Sequence, residues 1–162
     1  PERFRQLFAH YELAGDPAAF NGSFVALLAE GAQLTDGSAA LCRDLAEKGY
    51  ALYIITNGVA TTQKSRLAAS EIRPYIRDMF ISEEIGCVKP YKAYFDHVLK
   101  AISLTDRSRA LIIGDSLTAD IAGANAAGID SCWYNPGRAD NTTPASPTYE
   151  SAGWSELYPI IK

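Results

Sequence analysis

Short apolar segments alternate with helix-patterned stretches along most of this 162-residue chain, and that alternation restricts the fold it can adopt. Four runs read as strands: Tyr50 to Thr56, Asp78 to Ser82, Ala110 to Ile113 and Ser131 to Tyr134. A helix carrying Leu41 and Leu45, capped by Thr35 or Asp36 and closed by Gly49, feeds the first of them. Further helices are expected over Thr62 to Ser70, over Pro90 to Ile102 with Phe95, Val98, Leu99 and Ile102 on its apolar face, and from Leu117 to Gly128. Trp154, Leu157, Tyr158 and Ile161 suggest a last helix, and Pro136 to Pro147 is a surface loop. Strands that are apolar throughout, rather than at every second position, are buried on both faces. The reading is therefore α/β, a parallel sheet with helices on both faces. Ahead of it, Phe4, Leu7, Phe8 and Tyr11, then Phe20, Phe24, Leu27 and Leu28 after Asp16-Pro17, recur at helical spacing. Residues 1–31 are expected as a helical pair and 32–162 as the α/β unit. At this spacing the aromatic residues are read as core rather than as stacking partners for a ligand.

A chain of this length with 48% hydrophobic residues can build a core without disulfides, which excludes disorder and a stapled mini-protein. With a net charge of −4 and no run of Lys or Arg, it offers no footprint for nucleic acid or an anionic membrane. The longest apolar run, Ala51 to Ile55, is far short of the ~20 residues of a membrane helix. Three cysteines, Cys42, Cys87 and Cys132, without C-x-x-C spacing fit buried thiols in a reducing compartment, so a cytoplasmic protein is expected.

Ligands of open parallel sheets bind beyond the carboxyl ends of the strands, which directs attention to three segments. The first strand runs into Thr56-Asn57-Gly58; this is either an Asn-Gly hairpin turn or a strand-to-helix turn whose hydroxyl and backbone N–H groups could hold a phosphate. After the second strand comes Lys89-Pro90, where proline stiffens the loop that projects the ammonium; the alternative is a solvated lysine. The third strand ends in Gly114-Asp115-Ser116-Leu117-Thr118-Ala119-Asp120. Two carboxylates at a strand end and in the first helical turn could bind Mg²⁺, or could merely cap the helix and complement its dipole. A GDSL-type esterase with Ser116 as nucleophile is disfavoured, because His10 and His97 both precede it and no Asp-x-x-His follows.

Taken in this order and spacing, the three segments resemble motifs two, three and four of the haloacid dehalogenase-like (HAD) hydrolase superfamily. Gln63 and Arg66, Ser82-Glu83-Glu84-Ile85-Gly86 and Cys132-Trp133-Tyr134-Asn135 are similar to its pyrimidine 5′-nucleotidase-like phosphatase branch. The resemblance implies a Rossmann-like core with a helical cap, residues 1–31 being the rear part of that cap. It further implies Mg²⁺-dependent hydrolysis of a small phosphorylated metabolite, a nucleoside monophosphate, through a phospho-aspartyl enzyme. Thr56, Asn57, Gly58 and Lys89 would hold the phosphoryl group, with Thr56 and Lys89 counted as catalytic. Asp115 would bind Mg²⁺, supported by Asp120 and Ser116 behind it.

The family's first motif, Asp-x-Asp-x-Thr or Ser, occurs nowhere in the chain. It supplies the nucleophile on the central strand of the sheet, so the expectation is a fragment, inactive alone, lacking its first strand and able to pair with its own N-terminal segment. The rival readings are a non-catalytic HAD-like binding domain and a dehalogenase or other HAD hydrolase of different substrate.

Overall fold

The computed structural model describes residues 2–161. Helix α1 (Glu2–His10) and helix α2 (Pro17–Glu30) form the expected pair. Asp16 accepts the Ala18 N–H at 2.8 Å, and Pro17 occupies the first turn, where its missing donor costs nothing. The two helices meet through their aromatic stripes, with edge-to-face rings: Phe4 lies 5.0 Å from Phe20 and 5.2 Å from Phe24. The pair is fastened to the rest of the chain at the end of α2. There Ser65 Oγ donates to the Ala29 carbonyl (3.1 Å) and Arg66 Nε to that of Gly31 (2.8 Å), a cation at a helix C-terminus.

The α/β unit follows as α3 (Ser38–Glu47), β1 (Leu52–Thr56), α4 (Ala60–Ala68), β2 (Ile76–Ile81), α5 (Ser82–Ile85), α6 (Lys92–Ala101), β3 (Leu111–Gly114), α7 (Ala122–Ala127), β4 (Asp130–Tyr134) and β5 (Tyr149–Ser151). All strand pairs are parallel, as continuous apolar strands require. They form two groups, β1 with β2 and, separately, β3, β4 and β5 in that order. No ladder joins β1 to β3; the helices span that gap. On one face Tyr94, Phe95, Val98 and Leu99 of α6 pack with Phe80, Ala127 and Ile129 and reach Tyr53 and Ile55 of β1 and Ile112 of β3. On the other, Leu41 and Leu45 of α3 pack with Cys132 and Leu157 and reach Leu52, Leu111 and Ile113. Each apolar cluster thus touches both strand groups.

Several elements depart from the sequence reading, among them α5, a single helical turn where no helix was expected. The helix expected from Thr35 or Asp36 opens instead at Ser38, after Gly37 in the left-handed region (φ 87°), and the Thr35 hydroxyl accepts the Trp154 indole N–H at 2.7 Å rather than a helix N–H. The last helix is a single 3₁₀ turn, Trp154–Leu157, whose Trp154 stacks on Tyr134 at 4.2 Å. The helix expected from Leu117 begins as a wide π turn, Leu117–Ile121, before α7. Strand β5 was not expected; three residues beyond a long loop carry too little pattern to be seen.

The three cysteines are free, Cys132 being fully buried and the other two half-buried. Burial, reinforced by Glu150 and Glu156, pushes the Cys132 thiol up from 9.0 to about 11. Among the described residues no helix is long and apolar enough to cross a membrane.

Candidate active site

Lys89 stands at the centre of the site. Its ammonium donates to the Ile55 carbonyl at 3.0 Å and to Asp120 Oδ1 at 2.6 Å, with only 10% of its side chain exposed. A lysine so enclosed must be paired, since an uncompensated charge in a low-dielectric site costs several kcal/mol. One of its three N–H donors has no partner among the described residues. The same nitrogen therefore bridges the end of β1 and the segment after β3, across the gap that no ladder closes.

Asp120 is held from behind. Its Oδ2 accepts the Ser116 N–H at 3.2 Å, while Ser116 Oγ caps the π turn by accepting the Ala119 N–H at 3.1 Å. Gly114 makes this possible, because a Cβ there would collide with the Asp120 carboxylate. Asp115, one residue past β3, is exposed, and its carboxylate has no hydrogen-bond partner among the described residues. Its carbonyl accepts the Trp133 indole N–H at 3.0 Å, which fixes the peptide from which that carboxylate projects.

At the end of β1, Thr56 is reached from both sides. Its N–H donates to the Tyr94 hydroxyl at 3.0 Å, and that hydroxyl donates onward to the Phe80 carbonyl at 2.6 Å. A buried phenol is thus inserted where β1 and β2 part; burial pushes it up to about 12, so it remains a hydroxyl. Thr56 Oγ1 accepts the Gly58 N–H at 3.0 Å. Gly58 consequently enters the site otherwise than expected: its N–H is spent inside the turn rather than left for a phosphate. The Asn57 side chain pairs with the peptide of Lys89, Nδ2 donating to the Lys89 carbonyl and Oδ1 accepting its N–H, both at 2.9 Å. The Ala60 N–H at the start of α4 is likewise taken, by Glu83 Oε2 at 2.7 Å.

The structure therefore gathers Thr56, Asn57, Gly58, Lys89, Ser116 and Asp120 into one connected cluster, with Asp115 at its open edge. Sequence reasoning missed Tyr94 and Trp133. Both look like core aromatics in the sequence, and only a hydroxyl or indole N–H with no polar neighbour nearby in the chain could have raised the question of what it bonds.

A family model described as haloacid dehalogenase-like hydrolase matches residues 2–128. The chain belongs to that family. Among its HAD relatives is a Bacillus subtilis protein named as a HAD-hydrolase, YfnB, 43% identical over 98% of this chain and 67% of its own length. The pyrimidine 5′-nucleotidase PynA of Streptococcus pneumoniae is 39% identical over 96% of the chain and 65% of its own. YjjG of Escherichia coli, also a pyrimidine 5′-nucleotidase, is 34% identical over 90% and 64%. A crystal structure of YfnB bound to magnesium superposes with a TM-score of 0.91 over 99% of this chain and 70% of that one, at 42% identity. These relatives place the chain in the nucleotidase-like branch of the HAD hydrolases, and it spans about two thirds of the length of the curated relatives it matches.

Proposed function

We propose that this HAD chain forms the greater part of a cytoplasmic phosphohydrolase acting on nucleoside monophosphates. The observation that carries the reading is the Lys89 ammonium, enclosed between Ile55 and Asp120 with one donor to spare, beside Thr56 and with Asp115 at the open edge of the cluster. Phosphoryl transfer asks a protein chiefly for positioning and for stabilisation of developing charge, and a buried, oriented ammonium supplies both. Lys89 would direct its spare N–H to the transferring phosphoryl group. The Thr56 hydroxyl and the Asn57 backbone N–H would hold the remaining oxygens, which narrows the expected cradle by the Gly58 N–H.

Asp115 fits a Mg²⁺ site in part. Its carboxylate is exposed and free, as a hard-cation ligand must be, whereas Asp120 is committed to Lys89. Among the described residues no group of three His, Cys, Asp or Glu side chains could hold a metal. Further oxygens from a second segment and from substrate would have to complete the coordination. When bound there, Mg²⁺ would neutralise the phosphate charge and orient the ester. The nucleophilic carboxylate implied by the family motif would arrive on a strand seated between β1 and β3, whose facing edges carry no ladder. The helical pair would contribute to the cover that excludes water from the site.

The test is phosphate release from a panel of monoesters, pyrimidine and purine nucleoside monophosphates included, with and without Mg²⁺. It uses the chain alone and the chain completed by a strand carrying Asp-x-Asp. Activity is expected only in the completed protein and only with Mg²⁺, with UMP and CMP favoured. In it, Asp115→Asn and Lys89→Ala should each lower kcat by ~10²–10³-fold or more, the loss typical of a removed transition-state contact. Near-normal turnover in either variant would overturn its assignment.

A further inference from the structure

The Asn57 side chain stands out once the site is assembled, because a residue expected to serve a ligand has both ends of its amide spent on protein. Lys89 lies in the segment between α5 and α6, outside any helix or strand. Within that segment the Tyr91 N–H closes a turn on the Val88 carbonyl, and the Lys89 peptide itself is held from outside by Asn57. Neighbouring contacts, Ala60 to Glu83 and Lys64 to Glu84, fasten α5 to α4 but do not reach the lysine. A lysine has four rotatable bonds, so fixing its backbone narrows the region over which its ammonium can range. Donor and acceptor on one planar amide, meeting the carbonyl and N–H of one residue, fix both position and orientation, as the two bonds of an antiparallel hydrogen-bonded pair do.

We propose that Asn57 is the positioning residue of Lys89. Its amide latches the loop ahead of α6 onto the end of β1, so that the ammonium enters the gap beside Ile55 and Asp120, and only its backbone N–H remains for a ligand. The proposal rests on the phosphohydrolase reading for its catalytic consequence but not for the latch itself, and two measurements separate them.

The first is competitive acetylation of the 162-residue chain with acetic anhydride, followed residue by residue by mass spectrometry, with exposed Lys100 as internal reference. Lys89 should react more slowly than Lys100 in the parent chain. Its relative rate should rise at least about fivefold in Asn57→Ala, the population change that one net hydrogen bond makes. Asn57→Asp, which keeps the acceptor but sets a carboxylate oxygen against the Lys89 carbonyl, should also raise the rate, and guards against a folding defect in the alanine variant. An unchanged Lys89 rate in both folded variants overturns the latch. The second measurement is steady-state hydrolysis of UMP by the completed enzyme. A positioning role lowers kcat by about tenfold or more while KM and inhibition by inorganic phosphate stay within about twofold. A raised KM and weakened phosphate inhibition with kcat intact make Asn57 a substrate ligand and overturn the proposal. If the completed parent enzyme hydrolyses no phosphate ester, the functional reading fails while the acetylation result still decides the latch.

Discussion

Strands β1 and β3 are apolar along nearly their whole length, Leu-Tyr-Ile-Ile-Thr and Leu-Ile-Ile-Gly, yet every residue in both is only half-buried. Strand β4, with Asp, Ser and Cys in its first three positions, hides Ser131, Cys132 and Trp133. Strand β2, although paired on one side alone, hides Ile76, Phe80 and Ile81. For β4 the difference is one of neighbours. Strand β4 has a ladder on both sides, whereas β1 and β3 turn an unladdered edge toward each other and rely on α3 and α6 to span them. Apolar composition thus marks the strands that want cover on every side, and exposure marks where that cover stops. The candidate site residues sit at this under-covered seam, Lys89 reaching across it.

Core truncation should break or confirm the contrast most strongly. Ile81→Ala, on β2 and 1% exposed, should cost ~2–5 kcal/mol of unfolding free energy in urea, whereas Ile54→Ala, half-buried on β1, should cost about half as much. Equal losses would mean that β1 is as well covered as β2. Amide hydrogen exchange sharpens the point without mutation. Amides of β4 should be the slower, and those of β1 and β3 that face the gap should exchange ~10²-fold faster, because an unladdered edge opens without global unfolding. Uniform protection across β1, β3 and β4 would contradict this.

A smaller effect follows from the cover on β4. Burial favours the neutral Cys132 thiol, raising it from 9.0 to about 11 in the folded chain. The unfolded chain then ionises first, so the stabilisation is whole below pH 9 and is lost as pH rises through about 11. Cys132→Ala should flatten the stability profile across that interval in alkaline urea titrations; an unchanged alkaline limb would count against the buried neutral thiol.

Much of the fold was legible in the sequence because it rests on local patterning. Continuous apolar runs gave the parallel strands β1 to β4, and the 3.6-residue spacing of Phe95, Val98, Leu99 and Ile102 gave α6 and its buried face. Strand β5 and the 3₁₀ turn at Trp154 were not legible, since each is short and is shaped by what it packs against. Of the site, the residue types at the strand ends were readable as Thr56, Lys89 and Asp115. Their partners were not: Tyr94 is 38 residues from the Thr56 N–H it receives, and Asp120 is 31 from Lys89.

The order of helices and strands, the two-sided burial those strands require and the membership of the HAD hydrolases were thus determined by the sequence alone, because hydrophobic periodicity and motif spacing act along the chain. Tertiary structure decided which donors remain for a ligand. Gly58 turns its N–H onto Thr56, Asn57 spends its amide on Lys89, and Asp120 rather than Asp115 takes the ammonium. Those choices depend on which polar groups the fold brings within about 3 Å of one another, and the buried Asp120 carboxylate in particular must take whichever partner is there.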